Sequence, residues 1–213
     1  MISAILATAT IALILILSEY LWRKLHIRGE FARKFVHIIA GTFIAFLPFW
    51  VSYGWIVFLA VGFIAANLIN RYTPLFHAIH AITRKSWGDL LFGFGILGCA
   101  LLRPNKWLFA GAILQVALAD GLAAVVGSQY GKHRYQIFDH VKSRVGTLTF
   151  LLSSALILGL VLAGSGTSGD YKLFAVFSII PLLMAMLENV SGYGSDNIFL
   201  PLAFLISLRA LHL

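Results

Sequence analysis

The sequence predicts an all-α fold: a polytopic integral membrane bundle of seven or eight transmembrane helices, forming one domain over residues 1–213. Three observations carry this. Hydrophobic residues make up 60% of the chain and charged ones only 11%, against about 25% charged in a soluble globular domain. Apolar runs near the length of about 20 residues needed to cross a hydrocarbon core recur from Ile2 to Leu213, so nothing is left for a separate soluble domain. Basic residues flank those runs, as they do in membrane proteins oriented by positive charge.

In order, the expected spans are Ile2–Leu21, Phe35–Val51, Trp55–Ile69, Leu90–Leu102, Trp107–Val126, Gly146–Ala163, Leu173–Leu187 and Ile198–Leu211. The fourth, seventh and eighth are short, which leaves seven as the alternative count. No Lys or Arg precedes the first run, and Arg23 and Lys24 follow it. That order is the reverse of a secretory signal and suits a first membrane helix with its N-terminus outside. Three cytoplasmic links then hold Arg23, Lys24, Arg28, Arg33 and Lys34; Arg71, Arg84 and Lys85; and Lys132, Arg134, Lys142 and Arg144. Only Arg103, Lys106, Lys172 and Arg209 fall on the other side, so the bias toward the cytoplasm is strong.

The net charge of +8 is therefore read as bilayer orientation, not as nucleic-acid binding. The single cysteine, Cys99, lies in an apolar run and reads as a small buried side chain. Gly93–Gly98 and Gly164–Gly169 both spell G-x-G-x-x-G, but neither follows a strand in a βαβ unit. The first is expected to be a helix-packing surface and the second a linker. The segment Gly127–His133 lacks the spacing and the Ser/Thr of a Walker A loop. The histidines have no tight spacing with other ligand types, so no zinc site is expected.

Four polar clusters remain, and the expected orientation puts all of them on the cytoplasmic side. Ionisable groups within or beside membrane helices are costly and default to functional hypotheses. In the first cluster, Arg33, Lys34 and His37 share a helical face with Gly41 one turn on. Two cations and an imidazole suit a phosphate, although Arg33 and Lys34 alone could be a positive-inside anchor. The second is Asp120 amid small residues, with Gly121, Ala123, Gly127, Gly131 and Lys132 following. The glycines suit either helix packing or close approach of a ligand. Asp120 has no packing rationale, since Ala or Leu would fill its place. The third is Lys142, Ser143, Gly146 and Thr147 at the start of a span, either a phosphate-binding helix N-terminus or a capped one. The fourth, Glu188 through Asp196 and Asn197, is the one cytoplasmic link without Lys or Arg. It suits a Mg²⁺ ion, or a cap for the last helix. Asn67, Asn70 and Arg71 share the inner end of the third span and are weaker candidates.

In order and spacing these motifs resemble the phytol/dolichol kinase family of polyprenol kinases. The matching stretches are Arg33-Lys34-x-x-His37 with Gly41; Ala119-Asp120-Gly121-x-Ala123 with Gly127 and Gly131; Lys142-Ser143-x-x-Gly146-Thr147; and Glu188 with Asp196-Asn197-Ile198-x-x-Pro201. The pattern around Asp120 is also similar to the membrane cytidylyltransferases that make CDP-diacylglycerol. The resemblance implies a CTP-dependent, Mg²⁺-assisted kinase acting on the hydroxyl of an isoprenoid alcohol. It implies Asp120, Lys142 and His37 as catalytic residues, and Asp120, Glu188 and Asp196 as metal ligands. Nucleotide and phosphate contacts would come from Arg33, Lys34, Gly121, Gly127, Gly131, Lys132, Ser143, Gly146, Thr147 and Asn197. Val145 departs from the family pattern, which often has Glu there, so either another carboxylate serves or the activity differs. Two other readings compete: a CTP-dependent lipid-phosphate cytidylyltransferase, and a small transporter. Clustering of charge at one face, not at the midplane, disfavours the transporter.

Overall fold

The computed structural model describes residues 2–25, 30–72, 87–138, 140–166 and 171–211. Within them the chain forms eight helices, and each expected span coincides with one. They are α1 (Ile2–Leu25), α2 (Glu30–Ala45), α3 (Tyr53–Tyr72), α4 (Gly88–Leu101), α5 (Lys106–Tyr130), α6 (Arg144–Ser165), α7 (Tyr171–Val190) and α8 (Asp196–Ala210). α5 and α6 are each long and apolar enough to cross a membrane. The others are shorter or carry more polar ends.

Three features depart from the expected layout. First, α2 stops at Ala45 and the run continues as a 3₁₀ turn over Leu47–Phe49. Pro48 sits at the start of that turn, where its missing N–H does not break an α-helical ladder. Second, α5 contains a π-helical stretch at Gln115–Asp120, a widened turn of a kind often found at functional sites. Third, the polar link after α5 is an antiparallel β-hairpin, β1 (Arg134–Ile137) with β2 (His140–Ser143), pairing Tyr135 with Lys142. Aromatic and β-branched residues at Tyr135, Ile137 and Val141 favour strands over coil. The fold is thus all-α with one small hairpin.

Cross-links at the helix ends show that α3 runs opposite to α4, α5 opposite to α6, and α8 alongside α4 in the same direction. Asn197 Nδ2 donates to Gly88 O (3.0 Å), joining the starts of α8 and α4. Their far ends meet where Arg209 donates to Leu102 O (2.6 Å). At that same far end the Tyr53 hydroxyl donates to Pro104 O (2.8 Å). A side chain at Gly164 would run into the Trp107 ring, so the end of α6 lies against the start of α5.

The core is built on Phe109, Phe150, Met184, Leu200 and Phe204, all fully buried. α4 lies between α3 and α8 through the glycines of its G-x-G-x-x-G run. A Cβ on Gly93 would sit 2.7 Å from Ile64, and one on Gly98 would sit 3.1 Å from Leu202. These are packing glycines, as the sequence suggests. On the outside, Leu148, Leu152, Leu156 and Leu160 form a stripe along α6 and each is more than half exposed. An apolar stripe of this length is poorly suited to water and well suited to lipid.

Candidate active site

The site starts from the contact between α2 and the π-helical part of α5. Lys34, Ile38 and Gly41 share one face of α2 at helical spacing. Gly41 lies directly on the Ala117 methyl, and Gly121 directly on Ile38, with no room for a Cβ at either glycine. That close approach brings Lys34 Nζ to Asp120 Oδ2 at 2.5 Å, with the side chains only 14% and 5% exposed. His37, on the same face as Lys34, lies against the Phe92 ring of α4 (centroids 4.4 Å apart, tilted 54°). Its imidazole is within electrostatic reach of Asp120.

The sequence offers no packing reason for Asp120, and the structure corrects this. Asp120 forms a buried ion pair with Lys34, and Ala or Leu in its place would remove that pair. The π turn is what aims the carboxylate at α2. Replacing Gly41 tests the arrangement. Gly41→Ala is expected to destabilise by about 1–3 kcal/mol and to weaken activity, because the added methyl forces α2 off α5. Ala117→Gly removes the opposing methyl and is expected to restore both in the double variant. Thermal melting in detergent, with turnover, checks this; no rescue would mean that the two helices do not meet there.

The hairpin supplies the second ion pair. Lys142 Nζ, on β2, donates to Glu188 Oε1 and to Glu188 O (3.1 Å), joining the hairpin to the end of α7. Beside it the Tyr135 hydroxyl donates to Asn189 Oδ1 (2.5 Å) and contacts Thr147 Oγ1. Thr147 Oγ1 also donates to Asn189 Oδ1 (3.2 Å). Thr147 therefore holds the frame around Lys142. Asn189 lies beside Glu188 in the fourth sequence cluster, whereas Tyr135 is not among the sequence candidates. The only signal for Tyr135 is its place in the polar link before Lys142.

Ser143 caps α6. Its Oγ accepts from Gly146 N–H (3.1 Å) and donates to Gly127 O (3.3 Å). A Cβ on Gly127 would lie 2.8 Å from that Oγ, and one on Gly131 would lie 2.5 Å from the Ser143 Cβ. Gly127, Gly131, Ser143 and Gly146 thus form a seam where α5 and α6 touch through backbone. Of the two readings open in the sequence, cap and packing surface are the ones these contacts express.

The link between α7 and α8 is clamped from both sides. Gly192 lies against the His140 ring, and Gly194 adopts φ +89° with Gly88 Cα where a Cβ would be, 2.5 Å away. Glycine suits both the left-handed backbone and the contact. The clamp sets Asp196 at the first turn of α8, where its Oδ1 accepts the Asn197 N–H (2.9 Å). Asn197 is buried and bound to α4, so it holds α8 in place.

The four clusters converge at one end of the bundle. Asp120 is within electrostatic reach of Lys34, His37 and Lys142, and both Glu188 and Asp196 are within reach of Asp120. Three carboxylates, two ammoniums and an imidazole share the site. Among the described residues no three His, Cys, Asp or Glu side chains are grouped closely enough to make a metal centre by themselves. Asp120 and Glu188 each face a lysine. Lys132 is exposed at the rim. The side chains of Arg33, Asn70 and Arg71 lie outside the described residues; Asn67 turns back on its own helix, donating to Phe63 O (2.9 Å).

Comparison with known proteins decides the family. The chain is 34% identical over 203 residues to a phytol kinase of Synechocystis sp., covering 92% of this chain and 86% of that protein. It belongs to the phytol/polyprenol kinase family. No family model matches the chain, and no solved structure matches it. The convergent site is thus built from the motifs that carry the family resemblance in the sequence, with Val145 still the departure. Glu188 supplies a carboxylate directly beside Lys142, three residues before Val145.

Proposed function

We propose that the protein is an isoprenoid-alcohol kinase, transferring the γ-phosphoryl group of CTP to the hydroxyl of a phytol-, farnesol- or polyprenol-type alcohol. The carrying observation is the convergence of Lys34, His37, Asp120, Lys142, Glu188 and Asp196 at one end of a bundle sheathed in apolar side chains. A new bond forms between the alcohol oxygen and the γ-phosphorus. The bond from that phosphorus to the β,γ-bridging oxygen breaks, CDP leaves, and the hydroxyl proton is released. CTP as donor rests on the likeness of the Asp120 segment to membrane cytidylyltransferases.

Phosphoryl transfer is mostly positioning and charge stabilisation. We assign Lys34 and Lys142 to the phosphate oxygens and His37 to the alcohol hydroxyl. Asp196 makes no ion pair among the described residues, and all three acidic side chains offer oxygen donors. That set fits Mg²⁺, which is usually held by one or two carboxylates plus substrate phosphates, not by an all-protein cage. Bound there, Mg²⁺ would neutralise charge on the transferring group. The residues that would hold it are Asp196 and Asp120, with Glu188 orienting Lys142.

The decisive assay supplies purified protein with CTP or ATP and a panel of isoprenoid alcohols. The expected products are CDP and an isoprenyl monophosphate. Pyrophosphate and a CDP-lipid would instead establish the cytidylyltransferase reading. Asp196→Asn is expected to raise the Mg²⁺ concentration needed for half-maximal turnover by about tenfold, the usual scale for losing one metal-site contact. Full activity at unchanged Mg²⁺, with a lower melting temperature, would make Asp196 a helix cap only.

We also place the site at the cytoplasmic face of a multi-pass membrane protein. The Lys and Arg bias of the sequence supports this. Reporter tags at Gly166 and Gln136 are expected on opposite sides, with Gln136 cytoplasmic. Both tags on one side would overturn the orientation.

A further inference from the structure

Between α1, α2, α3 and α4 runs a groove of about 280 Å³, and every residue lining it is apolar. We propose that this groove holds the isoprenoid chain of the acceptor alcohol, its hydroxyl end toward His37. The inference rests on the kinase reading above and adds the place where the lipid part of the substrate lies.

Three observations carry it. The first is the closeness of the groove to the charged site. Phe92 touches His37, and Ile96, one turn further along α4, lines the groove. On α2, Ile44 lies two turns beyond His37 on the same face and also lines it. The side chains named between His37 and the groove, Phe92, Ile96 and Ile44, are all apolar. The second is dimension. On α3 the lining runs from Ala66, at the end nearer the site, to Ile56, which is about 15 Å at 1.5 Å per residue. That is about half the thickness of a bilayer's hydrocarbon core. A chain of a few isoprene units fits this length, whereas a long polyprenol would run out into lipid. The third is shape. Gly62 lines the groove, and a Cβ there would meet nothing within 4 Å. The glycine is not needed for helix contact, and its lack of a side chain keeps the groove wide, which suits a methyl-branched chain.

The test is photolabelling in phospholipid nanodiscs with a phytol analogue carrying a diazirine at its chain terminus. Bilayer acyl chains then compete in large excess. Labels are expected on α2 and α3 near Ile44 and Ile56, and unlabelled phytol is expected to displace them. Gly62→Phe is expected to abolish this labelling while keeping the thermal shift produced by nucleotide. Labels spread over the outer face of α6, or groove labels that phytol does not displace, would overturn the proposal and assign the groove to ordinary bilayer lipid.

Turnover supplies a second arm. In wild type, kcat/KM is expected to rise from geraniol to phytol and gain nothing further for a long polyprenol. Gly62→Phe is expected to lower kcat/KM for phytol by about tenfold or more while leaving geraniol within about threefold, the scale of losing several methylene contacts in an apolar pocket. An unchanged chain-length profile in the folded variant would overturn the groove assignment while the kinase reading stands. Groove labelling by an otherwise intact protein that phosphorylates no isoprenoid alcohol would do the reverse.

Discussion

Asp120→Asn is expected to lower turnover by about 10² or more, the scale of losing one electrostatic contact to a transition state. It is also expected to lower stability, which the sequence does not suggest. Asp120 and Lys34 are a buried pair, and removing one partner of such a pair typically costs about 3–5 kcal/mol. A single substitution therefore mixes two losses. The double variant Lys34→Met/Asp120→Leu separates them, since replacing a buried pair with apolar side chains of similar size is often neutral or better. That variant is expected to melt near wild type and to remain inactive. Melting in detergent and turnover of CTP with phytol are the two readouts. A stable double variant with near-normal turnover would reduce Asp120 and Lys34 to a structural tie between α2 and α5.

Lys142→Met is expected to have an effect of similar size. Lys142, on β2 of the hairpin, lies close to both Glu188 and Asp120. With it gone, turnover is expected to fall by about 10², as when one phosphate-stabilising group is removed. The thermal shift produced by nucleotide should shrink with it, because a ligand stabilises only the state it binds. Lys142→Arg keeps the charge but changes its shape, and an intermediate loss is expected. The competing reading is that Lys142 only neutralises Glu188. Under that reading Lys142→Met melts lower yet keeps its full response to nucleotide, and Lys142→Met/Glu188→Gln recovers activity. Either result would remove Lys142 from the site.

Much of this site is legible in the sequence because charge in an apolar chain has few bland explanations. Asp120, Lys142, Glu188 and Asp196 stand out for that reason, and the structure brings them together. The glycines are less legible. Gly41 and Gly121 let α2 reach Asp120, whereas Gly127, Gly131 and Gly146 form the seam between α5 and α6. Spacing cannot separate those uses, because a small residue near a carboxylate looks the same whether it admits a ligand or a helix. Ser143 is similar: its hydroxyl suits a phosphate or a cap, and only its neighbours show that it is already engaged.

The sequence by itself determined the helical class, the order and approximate ends of the eight helices, and the grouping of the polar motifs at one end of the bundle. These follow from local properties: run length, hydropathy and the position of Lys and Arg. Only the tertiary structure decided the partners. Lys34 with Asp120, Lys142 with Glu188, and His37 with Phe92 join residues 86, 46 and 55 positions apart, and no local pattern encodes such a contact. It likewise decided the hairpin that carries Lys142 and the π turn that aims Asp120. A short polar strand pair and one widened helical turn differ little in composition from a loop and a regular helix, and packing against α2, α6 and α7 selects them.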